Sequence, residues 1–455
     1  MSGLFGTLSV ALSGLLAEQN ALAVTTNNVS NANTPGFSRQ RPVLMEGNPV
    51  VQGSLTFGTG VVLHNIESVR DSILELRLND ETQQRGQSDA MVSALKQVEV
   101  MFSGSGTDLG TQITNFFSSL QQLSTDPTSP SERQGVLTAG NNLALAFHST
   151  VANLQEQRSN LDLSVGQTVD QINVLTSQIA HLNREIKAME NLHQDAGSFV
   201  DQRNEQIRQL SELVDVSVVQ SDDGLTLTTS HGMALVTGQR SFDLQAQLDP
   251  AGVQHVYSLG SDITAKITAG KLGGLLDVRD QKLPALLADL DTLAAGLTNA
   301  INTAHRTGFD LAGIAGGDLL APPPGGPGAA ANFAVLITDP SQIAASSDGS
   351  VGSNGNLAKM IAVQNQGIAG AQTATDFYAG IVFRVGTDVA NGTSEQDASD
   401  MILRQLEDQR GAISGVSMDE EAANLVRYQR AYEAAARVIS AISEMTDVAV
   451  QLGRY

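Results

Sequence analysis

From Ser417 to Leu452 the positions Leu425, Tyr428, Tyr432, Ala435, Ile439, Ile442, Met445, Ala449 and Leu452 recur at alternating steps of three and four, with one early step at Met445. That spacing draws a narrow seam along one helix face, the pattern of a helix that meets another helix. Ser417 and Glu420 form a capping box, Asp419 to Glu421 place negative charge in the first turn, and Gly453 follows the last apolar position. At ~1.5 Å per residue the helix is roughly 50 Å long. It closes the chain, so its seam must be covered by something distant in sequence or by another subunit.

The first segment mirrors the last. Leu8, Leu12, Leu15 and Leu22 step by three and four, with Gln19 in the intervening seam position. The helix is expected to stop near Asn27, where NNVSNANTPGF brings turn-forming residues and then Pro35-Gly36. Two amphipathic helices at opposite ends, each without a local partner, are natural mates. With about one apolar position in three or four, each Leu or Ile worth ~1.5–3 kcal/mol when buried, only an extensive partner surface can offset roughly 1–2 kcal/mol of backbone ordering per residue.

Between the ends the periodicity changes twice. Val50 to Ile66 is rich in Gly and β-branched residues and reads as an irregular or hairpin segment. A helix is predicted from Asp71 to Phe102, polar through NDETQQRGQSD, and SGSGTDLG then separates it from a short helix carrying Ile113, Phe116, Phe117, Leu120 and Leu123. Ser129, Pro130 and Glu132 form a helix start. Beyond it Val151, Leu154, Leu161, Val165, Ile172, Leu175, Ile179, Leu182, Ile186 and Met189 hold one heptad frame, interrupted by Arg158 and Thr168. After the helical bridge FVDQRNEQIRQLSELV, short alternating segments from about 213 to 268 predict a small β domain. Helical seams return with Leu286, Leu290, Leu293, Leu297 and Ile301, and again from about Asp376 to Arg410. Residues 307–356, with PPPGGPG at 322–328, read as an exposed loop or a reduced insertion.

Composition adds constraints. A chain of 455 residues exceeds one ordinary domain. Aromatics make up 4% and tryptophan is absent, a profile of small aliphatic residues filling helical seams. Acidic residues outnumber basic ones 48 to 26, a formal charge of −22, which argues against nucleic acid and anionic membrane as partners. There are no cysteines, which excludes thiolate catalysis and Cys-ligated zinc. Met1 to Ser38 contains no Lys or Arg, so the charged n-region of a cleaved signal is missing.

Chemical motifs are weak throughout. The glycines of 103–110 are one residue off a dinucleotide fingerprint and follow no buried strand. Gly270-Lys271-Leu272 lacks the companions of a phosphate loop, and His181 with Glu185 flanks a helix seam and reads as a solvated face. Asp201, Asp222 and Asp223 are adequately explained as turn and cap residues. No catalytic, cofactor-binding or metal-ligating set emerges, and no cofactor is expected.

The ends carry a resemblance. LSGLLAEQNALAVTTNNVSNANTPGFSRQ resembles the opening signature of bacterial flagellar rod and hook axial proteins, and DEEAANLVRYQRAYEAAARVISAISEM is similar to their closing helix. VDQRNEQIRQLSELVDVSVVQ, GKLGGLLDVRDQKLP and LEDQRGAISGVSMDEEAANL resemble the flagellar hook-associated protein 1 family. The likeness covers nearly the whole chain except 307–353. Phe37 stands where that family usually has Tyr.

The resemblance implies a structural, non-enzymatic adaptor at the hook–filament junction. It implies a ring of like subunits that meets the hook protein and a second junction protein and is needed for filament assembly and motility. It also implies type III export without a cleaved signal, an export chaperone on the C-terminal helix, and an extracellular location in the flagellum. Leu8, Leu12, Leu15 and Leu22 would pack with Leu425, Tyr428, Tyr432, Ile439 and Ile442, while the turn residues Asn28, Asn31, Thr34 and Gly36 would link this helical layer to the next. A rod or hook protein is the alternative within that class, and a ligand-binding β module on a helical stalk the alternative outside it.

The expected fold is α+β, mainly α: a nested, elongated multidomain chain with paired terminal helices, an inner long-helix bundle and a β-rich insertion. The expected domains are 1–45 plus 411–455, 46–200 plus 270–306 plus 354–410, and 201–269 plus 307–353.

Overall fold

A computed structural model describes residues 2–52, 54–102, 108–221 and 224–452. It is mainly helical with small antiparallel sheets. The chain forms two compact units. The first comprises 1–84, 171–244 and 399–455, the second 85–170 and 245–398.

In the first unit the opening helix α1 (Ser2–Ser30) packs along the closing helix α10 (Met418–Leu452). Strands β1 (Gln40–Glu46) and β4 (Val61–Ser68) pair as an antiparallel ribbon, with a register shift between Val43 and Leu44, and lie against α1. The short hairpin β2 (Val50–Gln52) and β3 (Leu55–Phe57) sits at the far end of that ribbon. The first turns of α2 (Ser72–Phe102) run against the last turns of α9 (Ala374–Ser414), where Leu74, Leu78, Leu403 and Leu406 cluster. The end of α4 (Pro130–Asn191), α5 (Gly197–Leu213) and a four-stranded meander complete the unit. Its strands are β5 (Ser217–Ser221), β6 (Gly224–Thr228), β7 (Ala234–Thr237) and β8 (Arg240–Ser241).

The second unit gathers α3 (Leu109–Thr125), α6 (Gly270–Asp277), α7 (Leu283–His305) and α8 (Gly355–Ala362) with the remaining parts of α2, α4 and α9. Phe116, Phe117, Phe147, Phe333, Leu290 and Leu293 are in its core. It also holds a three-stranded sheet of β9 (Leu244–Leu248), β10 (Gln254–Ser258) and β11 (Ser261–Asp262). The β-rich stretch thus divides into two sheets between Ser241 and Leu244, and the unit boundary falls at 244/245, where the sequence suggests one β domain.

The long α4 helix departs from its heptad reading in a regular way. Val151, Leu154, Leu161, Val165 and Ile172 are buried as expected, but further along Thr176 and Asn183 are buried in place of Leu175 and Leu182. A straight helix drifts by about 20° per heptad from a 3.5-residue repeat. Without a second supercoiled strand to hold the heptad seam, the buried face follows the 3.6 period. Asn183 is paired there, donating to Gly238 O at 2.6 Å.

Residues 307–353 are not a free loop. Leu319, Leu320, Ala330, Phe333, Ile343 and Ala344 are buried, while Pro322, Pro324, Gly325, Gly326 and Pro327 stay exposed. The anchors are polar side chains that bond backbone. Asn302 accepts from Leu319 N and Leu320 N and donates to Leu320 O. The fully buried Arg133 donates to Pro127 O, Pro340 O, Ser341 O and Ile343 O. Isolated β-bridges, with no longer ladder among the described residues, are what this packing leaves.

Candidate assembly site: the terminal helix pair and its anchoring turn

The less exposed face of α10 comprises Glu421, Asn424, Leu425, Tyr428, Ala431, Tyr432, Ala435, Ala436, Ile439, Ile442, Thr446 and Ala449. Only Glu421 and Ile442 are fully buried; the rest are half-covered. Met445 and Leu452, which the spacing puts in the seam, are 60% and 73% exposed. The face passes through Thr446 because the step from Ile442 follows the undistorted helical period.

On α1 the deeply buried positions are Ala11, Ala17, Ala21, Val24, Thr25 and Asn28. Leu8, Leu15 and Leu22 are half-buried beside them, and Leu12 is 48% exposed. Small side chains thus take the most buried positions of α1, which packs on α10 and on the β1–β4 ribbon, and the leucines are less covered. Glu18 is the lone charge among the first 38 residues. Burial raises its carboxyl above the usual range, and the charge of Arg427 on α10 works in the opposite direction.

Below α1 the chain turns through a dense polar anchor. The helix runs on to Ser30, beyond the expected stop near Asn27, because the asparagines bond outward. Asn28 is 1% exposed; its amide donates to Gln40 O at 2.8 Å and its oxygen accepts from Gln40 N at 2.9 Å. It therefore pairs with both backbone groups of the first β1 residue, as a neighbouring strand would. Asn173 does the same to Leu244, with both bonds at 2.8 Å. Asn31 donates to Asn27 O and accepts from the Thr34 hydroxyl at 3.2 Å, closing the turn, while Thr34 itself is exposed. Gly36 has φ +78°, and a Cβ there would lie 3.1 Å from Glu205 Oε2. Both the backbone and the neighbour select glycine.

Three arginines, Arg410, Arg39 and Arg70, then fasten the turn to the rest of the unit. Arg410 donates to Gly36 O at 2.8 Å and pairs with Glu75 at 2.7 Å. Arg39 bonds Glu421 at 2.7 Å and Glu420 at 2.6 Å in the first turn of α10, and its own N–H reaches Ser414 O at 2.9 Å. Burial works against the Arg39 charge, but the hydrogen bonds and charges of Glu420 and Glu421 outweigh it and raise the guanidinium above its ordinary value. Asp201 on α5 is buried and accepts from Ser38 N at 3.1 Å and Arg70 Nε at 2.9 Å. Burial, reinforced by the Arg70 charge, lowers Arg203 to about 10, although Glu190 opposes the shift.

The sequence-predicted residues of both ends are thus brought into one helix pair and one turn. Sequence reasoning passed over Arg39, Gln40, Arg70 and Arg410, and it read Asp201 as a turn or cap residue, whereas Asp201 lies within α5 and accepts from Ser38 N and Arg70. The side-chain partners of Arg39, Arg70, Asp201 and Arg410 lie 131 to 382 residues away along the chain, and Gln40 is held mainly through its backbone groups, so no local spacing announces them. Asp222 and Asp223 lie outside the described residues. His181 and Glu185 lie 4.0 Å apart on an exposed helix face, as expected.

Three family models match the chain: the flagellar hook-associated protein FlgK helical domain over residues 95–320, the flagellar basal body rod FlgEFG protein C-terminal domain over 409–452, and the flagella basal body rod protein over 8–37. Flagellar hook-associated protein 1 of Escherichia coli K12 is 26% identical, with 97% of this chain and 98% of that protein covered. Its Bacillus subtilis counterpart is 28% identical, with 98% of each covered. A solved structure, the flagellar hook junction protein FlgK from Burkholderia pseudomallei, superposes with TM-score 0.66 at 18% identity, covering 74% of this chain and 100% of that one.

Proposed function

The chain belongs to the flagellar hook-associated protein 1 family, and we propose that its paired terminal helices are the surface through which it polymerises. It is a structural component of the flagellum at the hook–filament junction. In this reading it forms an adaptor ring of like subunits between the hook protein and a second junction protein, and filaments do not attach without it. The chain is exported without a cleaved signal to the extracellular flagellum, with a chaperone covering α10 beforehand. Among the described residues no helix is long and apolar enough to cross a membrane.

One observation carries the reading. The α1–α10 pair covers only one side of each helix, leaving Phe5, Leu12 and Leu16 on α1 and Val426, Val438 and Val448 on α10 exposed. Leucine and phenylalanine worth ~1.5–3 kcal/mol each on burial are left for neighbouring copies to cover. In this reading Leu8, Leu15, Leu22, Leu425, Tyr428, Tyr432, Ile439 and Ile442 set the pair, Leu12 faces the neighbouring copies, and Asn28, Asn31, Thr34 and Gly36 hold the pair to the rest of the unit.

The test is Ile439→Asp in otherwise normal cells. The variant is expected to fold and be exported, yet fail to incorporate, with filament subunits shed into the medium. Normal filaments in that strain would refute the role of the pair. A deletion strain separates the junction from its alternatives: hooks without filaments support it, and absent hooks place the chain in the rod or hook instead.

A further inference from the structure

The covered face of α1 carries one group that is out of place in an apolar seam. Leu8, Ala11, Leu15, Glu18 and Leu22 step by three and four and are all buried or half-buried, while Gln19, the seam position read from the sequence, is exposed. Glu18 is the lone charge of the first 38 residues. Its Oε2 is shut off from solvent and has no hydrogen-bond partner among the described residues. An ionised carboxylate with a buried, unpaired oxygen is costly, and the neutral acid costs much less.

The surrounding charges do not repair this. Arg427 on α10 is the one charged side chain that acts on the Glu18 carboxyl, which puts Glu18 on the α10 side of α1. The Arg427 guanidinium is engaged elsewhere, donating to the Tyr428 hydroxyl at 2.8 Å and lying 4.7 Å from the centre of that ring. The β1–β4 ribbon also packs on α1, but none of its titratable groups, Arg41, Glu46, His64 and Glu67, acts on Glu18. Burial therefore outweighs Arg427 and holds the carboxyl above its ordinary 4.5. The element α10 packs along is α1, and only Glu421 and Ile442 of α10 are fully buried. In so thin a contact one unfavourable charge counts.

We propose that Glu18 is a proton-sensitive latch of the terminal helix pair: ionised, it loosens the hold of α1 on α10, and protonated, it tightens that hold. The sign follows from linkage. Paired helices bind the proton more readily than separated ones, so pairing strengthens as pH falls from neutral through the raised value towards 4.5. The latch acts within one chain and stands whether or not the pair is the polymerisation surface. If it is that surface, neutral pH leaves α10 easier to release.

The test compares the full chain with Glu18→Gln, which keeps the shape of the neutral acid, by native-state hydrogen exchange of α1 and α10 amides. Both are followed from about pH 7.5 down to the ordinary carboxyl value of 4.5, and the intrinsic exchange rate cancels in their ratio. At the upper end the variant's terminal helices should exchange more slowly than wild type, and the ratio should approach one as Glu18 takes up its proton. A ratio of one at neutral pH, a ratio that does not change with pH, or faster exchange in the variant overturns the latch. The α7 amides of the second unit should not differ between the chains. If they do, the variant is perturbed throughout, and a carboxyl-carbon NMR titration of wild type decides instead. There a Glu18 midpoint above 4.5 supports the latch, and one at or below it overturns the latch.

Discussion

Replacing Asn28 by Ala removes one side chain and leaves two buried backbone groups without partners. Gln40 is 5% exposed, and its N–H and C=O both bond Asn28, at 2.9 and 2.8 Å. Each neutral hydrogen bond contributes about 0.5–1.5 kcal/mol net, and each orphaned buried group costs about 1–3 kcal/mol. These ranges describe the same loss from two sides and are not summed. The pair together places the cost at roughly 2–4 kcal/mol, which at 1.4 kcal/mol per decade is roughly 30- to 700-fold in a local opening equilibrium. The opening should be local, because Ser38 and Gly36 are held independently by Asp201 and Arg410. Native-state hydrogen exchange in the purified chain reads it directly. Amides of 38–46 should exchange faster by that factor, while α7 amides in the second unit keep wild-type protection. Asn28→Asp adds a discriminator: only its protonated form can donate to Gln40 O, so protection should recover as pH falls. Acceleration below threefold at 38–46, or equal acceleration in α7, would refute the bridging role.

Gly36→Ala should destabilise the same turn by about 1–2 kcal/mol, because a left-handed backbone disfavours a Cβ and Glu205 must move aside; exchange at Phe37 to Gln40 measures it, and unchanged protection would contradict the reading. His305 in the second unit is buried and donates through Nδ1 to Gly317 O while Nε2 accepts from Ala344 N. Burial depresses its imidazole below the ordinary value of 6.5, with Gly317 and Asp318 acting the other way. A depressed folded-state value means the contribution to stability is complete above about pH 6.5 and is lost as pH falls. Thermal melts of wild type should therefore lose midpoint between pH 7.5 and 5.5 more steeply than those of His305→Gln, and parallel slopes would rule out this group as the cause.

Much of the terminal architecture is legible in local pattern. The seam from Leu425 to Ile442 is the covered face of α10 because a helix exposed to one partner repeats burial at 3.6 residues, and Ile442 is buried where the spacing puts it. The start of α10 is equally readable, since Glu420 N bonds Ser417 Oγ at 3.4 Å. On α1 the reading favours leucines, whereas the most buried positions include Ala11, Ala17 and Ala21. Hydrophobicity ranks Leu above Ala, but the room left on a helix face covered by both α10 and the β1–β4 ribbon ranks them the other way. The polar middle of α2 fails as a clue for a similar reason: Gln83 is buried with a partner, donating to Val216 O at 2.9 Å.

By itself the sequence determined the element types, the helix seams and caps, the exposed Pro/Gly tip of 322–328 and the ends that match each other. These depend on neighbours within a few residues, where periodicity and turn chemistry act. Tertiary structure alone decided that Asn28 bridges Gln40, that Arg39 crosses to Glu420 and Glu421, and that Arg133 and Asn302 pin residues 319–343. Those bonds join groups far apart in the chain, and many end on backbone atoms that every residue possesses. A side-chain pattern cannot specify which carbonyl or N–H will lie opposite; only the packed fold brings one there, and removes the water that would otherwise satisfy it.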